Sequence, residues 1–304
     1  MLKPSGSWVA IPTPFDLGDN VDYEGFCRII DFHIKHGTSA LLVMGSTGET
    51  TLLSPDEKRT IIRRVAAYNQ SRIPIFFGTT CPTTRETISL SRYAEECGAD
   101  GVLFVVPPYL RPPQEAVFAF LKDAMQSVSL PTAIYNNPAR VAVNIEPATI
   151  KRLCDECSNF VADKEAMGSV QQLAEVISLT QGRINVLCCD YPAYSIVIPT
   201  LGLGGHGTAN IGGNIIPEEM AAMSRPWTTF EEVETSRRIF FKYYRLVSLL
   251  YRVTNPVAVK AAMTILGMPS GKPRPPLPEM EPGRFEELRQ VMDDLGVTAK
   301  YGKR

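Results

Sequence analysis

"IPIFFGTTCPTTRETISLSRYAEECGADGVLFVVPP", residues 73 to 108, holds one complete repeat of the architecture. Its two short runs, Ile73 to Thr79 and Gly101 to Pro108, are apolar almost throughout and rich in Ile, Phe, Val and Leu. A strand with one wet face alternates apolar with polar residues. A strand that does not alternate is covered on both faces, as in a parallel sheet flanked by helices. Between the runs, "TRETISLSRYAEEC" has helical periodicity and stops at Gly98, a fitting helix terminator.

The same grammar extends in both directions. Apolar runs begin at Trp8 ("WVAIPT"), Ala40 ("ALLVMG"), Pro131 ("PTAIYNNP"), Phe160 ("FVADKEA"), Ile184 ("INVLCC") and Gly204 ("GGHGTANI"), which brings the strands to eight. Longer amphipathic stretches separate them. In Ser54 to Asn69, Ser54 can cap a helix, Pro55 suits its first turn and Glu57 completes a capping box. Eight βα units match a closed parallel barrel better than an open sheet. The expected fold is therefore α/β, a (β/α)8 TIM barrel over residues 1–225, followed by a C-terminal helical extension over 226–304. The Pro-rich Met268 to Gly283 has the composition of a turn or linker and is expected to drape over the surface.

Composition narrows the function. The 304 residues are 44% hydrophobic, with 31 basic and 32 acidic residues and a net charge of −1. No single-signed field is available to attract nucleic acid, and no apolar run approaches the ~18 residues of a membrane span. The first residues lack the layout of a signal peptide, so a cytoplasmic location is expected. Seven cysteines without regular spacing suggest reduced thiols. "CDEC" at 154–157 has no second pair at metal spacing, and with three histidines no metal site is expected.

In such barrels chemistry sits at the C-terminal ends of the strands. Strand two runs into "GSTGET", where Gly45 and Gly48 flank Ser46 and Thr47; the turn is either a plain tight turn or a cradle for a carboxylate or phosphate. Strand four leads to Tyr109 beyond two prolines. Strand five delivers Tyr135 toward the mouth, with Arg140 on the following loop able to clamp a carboxylate through two donors. Strand six delivers Lys164, and alternation then turns Asp163 and Glu165 toward the helix layer. A buried lysine is either held in a salt bridge or kept as a free amine able to attack a ketone, with a nearby tyrosine to shuttle protons.

"GSTGE" at 45, "YNNP" at 135, "KEA" at 164, "GGHG" at 204 and "NPVAVKAAM" at 255, in this order, resemble the dihydrodipicolinate synthase/N-acetylneuraminate lyase superfamily over nearly the whole chain. The resemblance implies a cofactor-independent lyase that forms a Schiff base with pyruvate, built as a homodimer or as a homotetramer of tight dimers. It implies Lys164 as the Schiff-base lysine, Tyr135 as proton donor and acceptor, Ser46 as relay hydroxyl and Thr47 as ligand of the pyruvate carboxylate. Tyr109 would reach the partner's active site, Ala209 would line the pyruvate pocket, and Arg140 would grip the carboxylate of a second substrate. That arginine, with only Asp190 of an acidic pair present in "CDY", separates this chain from sialic-acid lyases. The expected reaction is condensation of pyruvate with aspartate semialdehyde in lysine and diaminopimelate biosynthesis. The alternatives are an aldolase or dehydratase acting on another 2-keto acid, and a non-catalytic keto-acid-binding paralogue. Val141-Ala142 replaces the usual Thr-Gly, and Asp163 stands where an aliphatic residue is usual. Pro55, Lys58, Pro82 and Pro108 occupy the feedback-site positions, so little inhibition by lysine is expected.

Overall fold

Eight short strands close on themselves. They are β1 (Gly6–Ala10), β2 (Ala40–Val43), β3 (Ile75–Gly78), β4 (Gly101–Val105), β5 (Thr132–Asn136), β6 (Phe160–Glu165), β7 (Asn185–Cys189) and β8 (Gly207–Asn210). The computed structural model describes residues 1–190 and 194–303. Every pairing is parallel, and β8 returns to β1 through Gly6↔Gly207 and Trp8↔Ala209, which completes the barrel. Of the strand residues only Val105 is not fully buried, as expected when side chains fill the inside and helices cover the outside. Trp8 of β1 and Phe76 of β3 meet edge to face, their ring centroids 5.1 Å apart.

The helices alternate with the strands: α1 (Tyr23–Lys35), α2 (Pro55–Asn69), α3 (Thr84–Glu96), α4 (Gln114–Gln126), α5 (Pro138–Val141), α6 (Pro147–Glu156), α7 (Val170–Thr180) and α8 (Val197–Gly202). Local chemistry fixes their ends. Ser54 accepts from the Glu57 N–H while Glu57 accepts from the Ser54 N–H, so the anticipated capping box of α2 is present. Gly98 follows α3 at φ +80°, a conformation that costs a side-chain-bearing residue far more than glycine. Beyond the barrel come α9 (Pro217–Met223), α10 (Phe230–Leu250), α11 (Val257–Ile265), α12 (Pro282–Asp294) and α13 (Val297–Tyr301). The α10 helix packs on α9, α11 and α12, and α11 reaches back to the mouth of the barrel.

Two sequence expectations need adjustment. Arg140 lies not on an open loop but in the single turn of α5, started by Pro138. The Pro-rich segment does more than drape over the surface. Pro276 and Leu277 form part of the mouth of the barrel, and Arg274 is tied to Glu57, Asp19 and Glu49. Its prolines deprive the chain of helix-forming N–H groups, and side-chain anchoring supplies the order instead.

One irregularity positions the site. Thr132 of β5 pairs with Phe160, but Ala133 pairs with Ala162, so β6 carries an extra residue, Val161, in a bulge. Beyond it the register runs Ile134↔Asp163, Tyr135↔Lys164 and Asn136↔Glu165.

Candidate active site

Register sets Tyr135 and Lys164 side by side on the face turned away from Asp163 and Glu165. The Lys164 Nζ lies 4.3 Å from the centroid of the Tyr135 ring. Lys164 is only 3% exposed, and no carboxylate forms an ion pair with it among the described residues. Burial lowers its pKa; the charges of Cys189 and Asp190 oppose that shift and Arg140 reinforces it. The salt-bridge reading of Lys164 is therefore not what the geometry displays. The Tyr135 hydroxyl accepts from Asn137 Nδ2 at 2.5 Å and lies 4.0 Å from Cys189 Sγ, while burial raises its pKa.

The helix-layer face behaves differently. The Glu165 carboxylate accepts from Asn136 Nδ2, Gln172 Nε2 and the Met167 N–H at 2.7–3.1 Å. Asp163 is fully buried, and neither carboxylate oxygen has a hydrogen-bond partner. Burial first, and the neighbouring Glu165 second, push its pKa well up. Both effects favour its neutral form, and no cation forms an ion pair with it among the described residues.

The turn after β2 has the geometry of an anion cradle. Met44 and Glu49 both sit at positive φ, +57° and +55°, strain that its surroundings must hold in place. Gly78 of β3 makes room for it: a Cβ there would lie 2.3 Å from the Met44 carbonyl oxygen. Within the turn, the N–H groups of Gly48, Glu49 and Thr50 are satisfied by the Gly45 and Ser46 carbonyls, and Thr13 Oγ1 donates to the Gly48 carbonyl at 2.7 Å. Among the described residues the N–H groups of Ser46 and Thr47 take no acceptor, which leaves two donors together in the turn.

A cavity of ≈ 740 Å³ opens above these groups, walled by Ser46, Tyr135, Arg140, Asn255, Leu110 and Leu277 among others. Lys164, Thr47 and Ala209 are buried outside that wall, with Ala209 paired in register to Cys189. Ser46 and Tyr135 share the cavity without a direct hydrogen bond. Tyr109 does not join the site of its own chain. It is 93% exposed on the loop after β4, at φ +80°.

Sequence reasoning noted Asp190 only as half of an acidic pair and gave no role to Tyr251 or to Asn255 by itself, yet the structure brings all three here. Asp190 is buried at the end of β7, accepts from the N–H groups of Ile211 and Gly212 at 3.0 and 3.4 Å, and receives a hydrogen bond from the Tyr251 hydroxyl. Its pKa is raised by burial, against the pull of Tyr251. Tyr191, its neighbour in the "CDY" reading, lies outside the described residues. Asn255 Nδ2 donates to Thr47 Oγ1 at 2.9 Å. "CDY" and "NPVAVK" marked these segments without saying what they touch.

Fold and chamber together define a (β/α)8-barrel protein whose Ser46, Tyr135 and Lys164 lie at the C-terminal ends of β2, β5 and β6. A sequence model of the Dihydrodipicolinate synthetase family matches residues 3–295. The 4-hydroxy-tetrahydrodipicolinate synthase of Methanococcus vannielii is 37% identical over 292 residues, 96% of this chain and 99% of that protein. That of Persephonella marina is 35% identical over 293 residues, covering 96% and 98%. The crystal structure of dihydrodipicolinate synthase from Aquifex aeolicus superimposes with a TM-score of 0.92 at 34% identity, covering 97% and 99% of the two chains. The chain belongs to the dihydrodipicolinate synthetase family and is an enzyme of the class I lyase type that family comprises. No helix among the described residues is long and apolar enough to cross a membrane.

Proposed function

We propose that this protein is a 4-hydroxy-tetrahydrodipicolinate synthase that joins pyruvate to aspartate semialdehyde through a Schiff base on Lys164. The observation that carries the reading is a buried lysine without an ion-pair partner, set against Tyr135 beside a cavity. Burial disfavours the ammonium form, so the neutral amine attacks the ketone carbon of pyruvate. Tyr135 protonates the carbinolamine oxygen, water leaves, and an iminium forms. Ser46 passes the proton onward, and the Tyr109 of a second subunit completes the relay, so the working unit is at least a dimer. Thr47, with the free N–H groups of Ser46 and Thr47, holds the pyruvate carboxylate.

Loss of a methyl proton converts the iminium to an enamine, whose terminal carbon bonds to the aldehyde carbon of the second substrate. The aldehyde oxygen takes up a proton and becomes a hydroxyl. Arg140, in the wall of the same cavity, is placed to hold the carboxylate of that substrate. The amine carried by the second substrate then attacks the imine carbon, closes the ring and returns Lys164 as the free amine.

The test is incubation with pyruvate and borohydride, then mass spectrometry and peptide mapping, with aspartate semialdehyde turnover measured on the same preparation. Reduced pyruvate on Lys164 together with turnover is the expected result. An adduct without turnover would keep the lysine chemistry and assign a different acceptor, and no adduct would overturn the reading.

A further inference from the structure

The turn that carries Ser46 and Thr47 is gripped from a part of the chain more than two hundred residues away. Its Thr47 end is held by Asn255, just before α11, and its Glu49 end by Lys260 on α11 itself, whose Nζ lies 2.6 Å from Glu49 Oε1. The Arg274 N–H donates to the other oxygen of Glu49 at 2.8 Å. Lys260 and Glu49 are almost completely buried, so the clamp is desolvated and rigid.

The bond from Asn255 has a direction. A side-chain amide nitrogen only donates, so Thr47 Oγ1 is the acceptor, and one lone pair of the hydroxyl is committed. The Thr47 hydrogen must then point elsewhere, and among the described residues it has no acceptor. Thr47 is 2% exposed, so bulk water does not readily take that role. A donor left unused in a buried turn, beside two unused backbone N–H groups, is matched by a carboxylate oxygen.

We propose that Asn255 is a positioning residue of the carboxylate subsite: by occupying the acceptor side of the Thr47 hydroxyl, it makes that hydroxyl a donor to the bound 2-keto acid. The inference rests on the reading of Thr47 as a ligand of the pyruvate carboxylate. It also gives the segment leading into α11 a part in substrate binding, although Asn255 itself need not touch pyruvate.

The experiment is a double-mutant cycle of N255A and T47V, with T47S as the conservative control, read as KM for pyruvate and kcat separately. A hydrogen bond to a charged group justifies an expected rise in KM of roughly 10-fold for N255A, with kcat changed far less. T47V should match it, the double variant should be no worse than T47V, and T47S should bind pyruvate like the parent. A merely structural role for Asn255 would make its penalty persist in full on the T47V background, and that result would overturn the proposal. So would an N255A enzyme whose KM stays within about twofold of the parent while T47V is impaired. If T47V itself leaves KM unchanged, it is the assignment of Thr47 that fails, and the inference falls with it. Borohydride trapping at saturating pyruvate reports whether Lys164 remains competent in each variant. N255S, which keeps a hydroxyl in the space, runs the same cycle if N255A does not stay soluble.

Discussion

Lys164 at the end of β6 and Lys260 in α11 are both lysines removed from water, yet they have opposite surroundings. Lys260 is 1% exposed, paired with Glu49 at 2.6 Å, and donates to the Lys272 carbonyl at 3.2 Å. Its Nζ lies 4.2 Å from the centre of the Phe15 ring, which Arg274 also covers. Burial pulls its pKa down to about 8, with Glu49 opposing the shift. Lys164 has beside it the ring of Tyr135, which lines the cavity, and among the described residues it has no ion-paired carboxylate. Burial therefore does not by itself make a nucleophile. The same desolvation serves structure where a counter-charge closes the amine off, and under the proposed function it serves chemistry where none does.

Substituting each lysine should break that contrast most directly. K164A should abolish borohydride-trapped adduct and lower kcat by roughly 10³-fold or more, because the covalent step is lost, while the fold persists. K260M should do the reverse. It leaves Glu49 buried without its cation, so chemical denaturation should register a loss on the order of 3–5 kcal/mol, while the folded fraction still forms adduct. Adding E49Q to K260M should recover the larger part of that loss. A fully folded K260M that forms no adduct would erase the distinction.

The pH dependence of trapping sharpens the comparison. Because burial lowers the Lys164 pKa, a larger fraction is free amine at any given pH than for an ordinary lysine. The adduct-forming rate should level off at a lower pH than that of an exposed alkyl amine, and fall as protonation sets in below the shifted value. A profile that keeps climbing in step with an unperturbed amine would contradict the assignment.

The smallest effect concerns Asp163, whose buried carboxyl oxygens have no hydrogen-bond partner among the described residues. Its folded-state pKa is raised, so its contribution to stability is fully present below the unfolded value of about 3.9 and is lost as pH rises. D163N removes the ionisation and should gain about 1–2 kcal/mol at pH 7 but almost nothing near pH 3.5, read from denaturation midpoints at the two pH values. Equal gains at both would show that the carboxyl does not titrate as its surroundings dictate.

What the sequence revealed follows from the range of the interactions. Fully apolar strands, the capping box at Ser54 and the terminator at Gly98 are local signals, and each appears where its residues predict. Tyr135 and Lys164 were also readable, since strand ends are where such barrels place their chemistry. The partners of the "GSTGET" turn were not. Asn255 and Lys260 meet Thr47 and Glu49 across more than two hundred residues, and no periodicity announces such a contact. The Pro-rich segment was read as a linker because composition reports the lack of helix and strand; it does not report the ion pairs of Arg274. The bond from Tyr251 to Asp190 was hidden for the same reason, and the exposed Tyr109 has no meaning within one chain.

The bulge at Val161 stores information that no substitution table would capture. If Val161 were instead paired in regular register with Ala133, Tyr135 would stand across from Asp163, and a carboxyl would take the place beside Tyr135 that an amine now holds. Deleting Val161 should remove the bulge and leave Lys164 across from Tyr135, whereas forcing Val161 into the ladder would exchange an amine for an acid at that place. The pairing of β6, as much as its letters, decides which of its side chains meets Tyr135.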